Sequence, residues 1–209
     1  IYVLYYNKQA FAEKGLAPPR TWDELRRAAK KLTVIKNGKI VRYGIAIDPS
    51  VDTFGHWLYT YGGDFINIKK RKVAFDTPLG LKAMEYWYNL VYKDRSAIFT
   101  FEPSKEFTSG RAAMDIHTTS RIPGFERRVS FPLGISLVPI GTQRKYQFGG
   151  TNLVVFKTRN ARAQEAAIKL LKFLTSRETT TYWALRTGYL PVRASAVRSP
   201  EYQAYLKLN

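Results

Sequence analysis

The stretch Tyr43-Gly-Ile-Ala-Ile47, then Asp48-Pro-Ser50, then Val51 through Gly62-Gly63, holds the step from which the fold is read. The first five residues, rich in isoleucine and followed by a polar and a proline position, predict a buried strand. The run from Val51 is long enough for a helix and ends on paired glycines, which stop one. A strand that leads into a helix is the building step of an α/β layer.

The same alternation continues on both sides. Ile1-Tyr-Val-Leu-Tyr-Tyr6 predicts a strand, and Asn7–Lys14 a short helix closed by Gly15. Thr21-Trp-Asp-Glu24 is a capping box, so a helix starts there, with Trp22, Leu25, Ala29 and Leu32 on its apolar stripe. Asn37-Gly38 inside Val34–Val41 supplies the two positive-φ positions of a tight hairpin. A second, basic hairpin falls within Phe65–Phe75. Thr77-Pro78 opens a helix with Leu81, Met84, Trp87, Tyr88 and Val91 on its face. Phe107–Met114 reads as a helix end, a glycine and a strand through Ile116. Gly134–Val138 and Phe148–Phe156 are further strand candidates. Ala161–Thr175 carries Ala163, Ala166, Ala167, Leu170, Leu171 and Leu174 as a narrow apolar stripe, and a last helix pattern runs from Ser176 to Arg186. The fold class expected is α/β, a central mixed sheet flanked by helices, as one lobe over residues 1–209. A strand at the first residue and a helix pattern at the last predict a fragment of a longer chain.

Composition narrows the function classes. Hydrophobic residues make up 45% and charged residues 24%, which predicts a folded chain. No apolar run approaches the ~20 residues that cross a bilayer. The absence of cysteine removes disulfides, thiolate catalysis and cysteine-bound zinc. Thirty-four Lys and Arg against sixteen Asp and Glu leave a net charge of +18. A field of that size attracts polyanions, so a basic nucleic-acid-binding domain is the alternative reading. The charges are scattered rather than massed, however, and no RNP-like, GXXG-clamp or helix-turn-helix pattern accompanies them. A solvated basic surface accounts for them better.

Catalytic signatures are missing. The sequence has no P-loop, no GxGxxG and no GxSxG elbow. His56 and His117 have no partner at metal-ligand spacing, and core or surface packing is their ordinary role. Asp48, Asp52, Asp64, Asp76 and Asp115 offer carboxylates, yet nothing in their spacing selects an acid–base pair. Binding rather than catalysis is therefore expected, with no cofactor and no metal. Aromatic residues reach 14%, and flat rings suit sugar faces as well as cores.

Several segments, in order and across almost the whole chain, resemble the family 1 extracellular solute-binding proteins of ABC importers. They are Leu4-Tyr-Tyr-Asn-Lys8 with Pro19-Arg-Thr-Trp-Asp-Glu-Leu25, then Phe107-Thr-Ser-Gly-Arg-Ala-Ala-Met114. Phe148-Gly-Gly-Thr-Asn-Leu153, Trp183-Ala184 and Thr187-Gly-Tyr-Leu-Pro191 follow. Each motif alone is weak; their order is not. The resemblance implies two α/β lobes joined by hinge strands, with a sugar or glycerol-phosphate class solute held between them and handed to ABC permease subunits outside the cytoplasm. It implies that this chain is the second lobe only, with Ile1–Tyr6 beside the hinge, and that the isolated lobe is open to self-association.

In open α/β sheets ligands lie beyond the carboxyl ends of strands, at helix N-termini. Three places qualify. After the Tyr43–Ile47 strand, Asp48 and Asp52 accept sugar hydroxyls and Phe54 or Trp57 stacks, although Asp52 serves equally as a helix cap. After the strand ending at His117, Thr118, Thr119 and Ser120 offer hydroxyls, with Ser120 equally a cap. Gly149, Gly150, Thr151 and Asn152 let a ligand approach the backbone. The resemblance adds Tyr189.

Overall fold

In the computed structural model, residues 1–147 and 149–208 are described. The chain opens with β1 (Tyr2–Asn7), whose last residue caps α1 (Lys8–Glu13): the Asn7 side chain accepts from the Ala10 amide at 3.0 Å. Pro18 and Pro19 break the chain before α2 (Trp22–Leu32), and the capping box forms, with the Glu24 amide donating to Thr21 Oγ1 at 3.2 Å and the Thr21 amide to Glu24 at 3.3 Å. The hairpin β2 (Val34–Lys36) and β3 (Lys39–Arg42) turns at Asn37 and Gly38, both at positive φ. There follow β4 (Ile45–Ile47), α3 (Val51–Thr60), the small hairpin β5 (Ile66–Asn67) and β6 (Lys72–Val73), and α4 (Pro78–Tyr88), which loosens into a π turn over Asn89–Lys93. Next come β7 (Ala97–Phe99), α5 (Pro103–Thr108), β8 (Met114–Thr118), a 3-10 turn over Thr119–Arg121, α6 (Ile122–Arg128) and β9 (Leu133–Leu137). The chain then enters α7 (Ala161–Leu174), α8 (Arg177–Thr187), α9 (Ala194–Val197) and α10 (Pro200–Leu208).

These elements fall into two compact units. A sheet unit holds Tyr2–Thr118 and Phe125–Gln147, and a helical unit holds Ile1, Thr119–Gly124 and the described part of Phe148–Asn209.

The sheet unit is built on one mixed sheet in the order β7-β4-β8-β1-β9. Strand β4 runs parallel to β7 and β8, while β1 runs antiparallel to β8 and β9. Its core is aromatic. The Trp22 and Trp57 rings stack at 4.4 Å, and Tyr86 lies against both. Their polar atoms are satisfied: Trp22 Nε1 donates to Thr60 Oγ1 at 2.8 Å and the Tyr86 hydroxyl to the Trp22 carbonyl at 2.6 Å.

Helix α4 corrects the expected face. Of that face, Trp87 is buried and Val91 packs against the core, but Leu81, Met84 and Tyr88 are exposed, and Ala83 and Tyr86, with Leu90 of the π turn, complete the buried stripe. Both stripes are apolar at helical spacing, so periodicity alone does not choose between them; the aromatic cluster does.

In the helical unit, Asn160 caps α7 and Ser176 caps α8, while Gly188 ends α8 in the left-handed region at φ 72°. No residue of α7 is buried. The strand expected over Phe148–Phe156 is not found in 149–156, and Phe148 lies outside the described residues. An extended segment becomes a strand only with a neighbour to bond, and none pairs with 149–156 among the described residues.

Candidate functional site

The antiparallel entry of β1 decides what meets at the carboxyl ends of β4 and β8. Ala46 of β4 is in register with Asp115 of β8, and Tyr2 of β1 with Thr118 of β8. Tyr2 therefore starts where β4 and β8 end, beside Asp48 and Thr118. Helix α3 begins at the same edge. Its cap is Ser50, whose Oγ accepts from the Thr53 amide at 3.4 Å, so Asp52 is not the cap and its carboxylate faces other groups. Gln147 Nε2 donates to Asp52 Oδ1 at 2.6 Å, and the Tyr2 hydroxyl donates to Oδ2 at 3.5 Å, the long limit of a hydrogen bond.

Beneath these lies His56, 1% exposed, its ring 4.2 Å from that of Tyr2. Neither Nδ1 nor Nε2 has a hydrogen-bond partner within the protein, and the Gln147 Oε1 is likewise buried without one. Burial holds the His56 imidazole down to a pKa of about 4, against a smaller upward pull from Asp52, so the ring is neutral at pH 7. Burial, then the Asp52 charge, pushes the Tyr2 phenol up. The Gln147 amide packs over Gly55, where a Cβ would stand 2.9 Å from Oε1.

Of the residues expected at the first place, Asp48 and Asp52 lie on this edge. Phe54 and Trp57 do not offer their rings to it. They are 9% and 3% exposed; Trp57 packs on Trp22, Tyr86 and Tyr61, and Phe54 sets its edge on Trp87 at 5.6 Å. Their spacing with Leu58 makes a core stripe, which sequence reading took for a stacking platform. Thr118 joins the edge, its amide donating to His117 Nδ1 at 2.8 Å and its carbonyl accepting from Tyr5 at 2.8 Å.

The remaining expected residues belong to the helical unit. Thr119 and Ser120 sit on the 3-10 turn, and Thr119 is buried. The Thr119 carbonyl lies where a Cβ on Gly188 would be, 2.3 Å away, which sets this turn against the segment carrying Tyr189. Tyr189 is 47% exposed. Gly149, Gly150, Thr151 and Asn152 are exposed and outside any helix or strand. No atom lies within 4 Å of the Cβ positions of the two glycines.

Sequence reading missed Tyr2 and Gln147 and gave His56 an ordinary packing role. No local signal marks the first two, because strand pairing and a distant loop bring them in. Among the described residues, no group of three or more His, Cys, Asp or Glu is placed to hold a metal ion, and no helix is long and apolar enough to cross a membrane.

The profile of the bacterial extracellular solute-binding proteins matches residues 1–209. The chain belongs to that family. Among curated relatives, it is 24% identical over 99% of its length to the sn-glycerol-3-phosphate-binding periplasmic protein UgpB of Pectobacterium atrosepticum, and 25% identical to that of Salmonella typhimurium. The chain spans about half the length of these relatives, 50% of each. Among solved structures, it superposes with a TM-score of 0.88 and 24% identity on UgpB from Mycobacterium tuberculosis in complex with glycerophosphocholine, covering 100% of this chain and 53% of that one. With the cyclic alpha-maltosyl-1,6-maltose binding protein of Arthrobacter globiformis the TM-score is 0.77 at 25% identity, covering 100% of this chain and 55% of that one. The solute-binding-protein fold expected from sequence is thus shown. The nucleic-acid reading of the charge receives no support from these matches.

Proposed function

We propose that the full-length protein binds a sugar or glycerol-phosphate class solute outside the cytoplasm and hands it to the permease subunits of an ABC importer, without catalysing a reaction. The observation that carries this reading is the convergence of Asp48, Asp52, Thr118 and Tyr2 at the carboxyl ends of β4 and β8, above a neutral, buried His56. Hydroxyl-bearing solutes need such acceptors and donors, set on rigid strands and a helix start. Family membership supports the class, since its relatives are named for solutes of this kind. A second lobe closing on the solute would favour the closed state by the contacts it adds. Asn152 and Tyr189, exposed in the helical unit, are proposed as further solute contacts.

Calorimetric titration of the full-length protein with sugars and polyol phosphates tests this. Binding of one solute, weakened by Tyr189→Ala and Asn152→Ala, is expected; unchanged binding in both variants rejects those two contacts. Self-association of the isolated 209-residue chain, through exposed apolar residues such as Phe173 and Leu170, is checked by light scattering. A monomer at all concentrations rejects it.

A further inference from the structure

We propose that the basic hairpin of β5 and β6 is a docking surface for an anionic lipid bilayer, its aliphatic side chains entering the interface while its cations hold the headgroups. The proposal goes beyond the solute-binding reading and is tested apart from it. Lys69-Lys-Arg-Lys72, at the tip of this hairpin, is the longest unbroken run of basic residues in the chain, and the site described above makes no use of it.

The base of the hairpin is fixed and its tip is exposed. The Ala74 amide donates to the Phe65 carbonyl at 2.9 Å, and the Phe65 ring packs against Phe54, Tyr59 and Phe75. At the tip the Arg71 amide donates to the Ile68 carbonyl at 3.3 Å, and the Lys70 amide to Asn67 Oδ1 at 3.0 Å, so the turn has a defined shape. Every residue from Ile66 to Val73 is exposed. None of the cations in Lys69-Lys-Arg-Lys72 forms an ion pair among the described residues. Asp64, the acid that precedes them in sequence, is held by Lys145 at 2.8 Å.

The two faces of the ribbon differ. Ile66 and Val73 stand opposite each other in the antiparallel register, so their side chains leave one face together. Asn67 and Lys72, the neighbouring pair, leave the other. Ile68 stands at the tip and is 84% exposed. Exposed β-branched side chains set among cations call for surroundings that are apolar and anionic within the length of one side chain. A bilayer interface has that composition. Acyl chains begin just beneath the headgroups, and Lys and Arg reach the headgroups on long apolar stems while aliphatic neighbours enter. The phosphates of a nucleic acid would meet the cations but give Ile66, Ile68 and Val73 no apolar partner. Each basic residue near an anionic bilayer raises partitioning about fivefold, so the run at the tip suffices for reversible attachment.

Co-sedimentation of the full-length protein with vesicles tests this, using phosphatidylcholine alone and phosphatidylcholine mixed with phosphatidylglycerol in equal parts. Wild type is expected to bind the mixed, anionic vesicles more tightly than the neutral ones. The variant K69Q/K70Q/R71Q/K72Q should lose about hundredfold or more of its affinity for the anionic vesicles. The variant K8Q/K14Q/K36Q/K39Q removes the same charge elsewhere in the sheet unit and should lose less than about fivefold, since charges away from the contact are screened. Ile68→Ser keeps every charge and should lose about fivefold, because an inserted aliphatic side chain is gone. Equal losses in the two charge variants overturn the proposal, since net charge and not the hairpin would then be binding. Unchanged affinity in Ile68→Ser overturns it too, because only phosphate attraction is then at work; a DNA duplex bound more tightly than the vesicles would make nucleic acid the partner instead. Wild type that binds both kinds of vesicle alike, or neither, overturns it directly. Melting temperatures show that each variant folds. Solute titrations on the same samples are read separately, so failure at the hairpin leaves the solute-binding reading standing, and the reverse.

Discussion

Helices α2 and α7 are alike in sequence and opposite in surroundings. Each opens on a side-chain cap, Thr21 or Asn160, and each carries an apolar stripe at helical spacing. Helix α2 buries Trp22, Leu25, Ala28, Ala29 and Leu32, whereas α7 buries nothing and leaves Leu170 56% and Phe173 64% exposed. The sheet unit supplies α2 with a five-stranded sheet and an aromatic cluster to lie on. The helical unit has no strand among its described residues. An amphipathic stripe states that a helix has a face for a partner; whether the partner exists is a tertiary fact. Stability should therefore be concentrated in the sheet unit.

Truncating an aromatic residue in each unit tests this most strongly. Trp57→Ala removes a ring that touches Trp22, Tyr61 and Tyr86 and leaves a cavity. A loss of about 3–5 kcal/mol is expected. Phe173→Ala on α7 should stay within about 0.5 kcal/mol, as exposed positions do. Urea unfolding read by tryptophan fluorescence measures both. Equal losses would mean that the α7 face is packed in solution, and the contrast would collapse.

The next effect belongs to His56. Its folded pKa of about 4 lies below the ordinary 6.5. Between those two values the unfolded chain binds a proton that the folded chain refuses, so stability rises with pH across that window. The contribution is complete above pH 6.5, declines as pH falls, and is gone near pH 4, a span worth roughly 3 kcal/mol at most. His56→Phe should flatten this part of the pH–stability curve while leaving the part below pH 4 unchanged in shape. A variant with the same slope as wild type would show that the ring is hydrated and titrates normally in the folded protein.

Much of the sheet unit was legible because its signals are local. The Thr21 box, the Asn37-Gly38 turn and the Tyr43–Ile47 strand each need only neighbours in sequence, and each forms at or within a residue or two of its expected place. Asp48 and Asp52 were legible from a general rule about strand ends. What failed depends on distant pairing. Tyr2 reaches the edge because β1 runs against β8, and Gln147 because a loop 95 residues away in sequence brings it to Asp52. Phe54 and Trp57 share a helical stripe that serves a core or a ligand equally well in sequence, and the neighbouring Trp22, Tyr86 and Trp87 settle it as core. The exposed Leu81, Met84 and Tyr88 of α4 share apolar helical spacing with its buried stripe for the same reason.

The smallest effect returns to the two caps. Thr21→Ala deletes an acceptor for the Glu24 amide and releases the reciprocal bond from the Thr21 amide to Glu24, at the start of a helix whose burial anchors the sheet unit. A loss of about 1 kcal/mol is expected, because cooperative unfolding of that unit must register any destabilisation of α2. Asn160→Ala deletes the equivalent acceptor for the Ala163 amide. Helix α7 buries no residue, so fraying its first turn disturbs no packed side chain. The unfolding midpoint of the sheet unit should then stay in place, while amide exchange at Ala161–Ala163 accelerates. If Asn160→Ala instead lowers the midpoint as far as Thr21→Ala does, α7 contributes to the cooperative core, and its exposed stripe must be covered in solution.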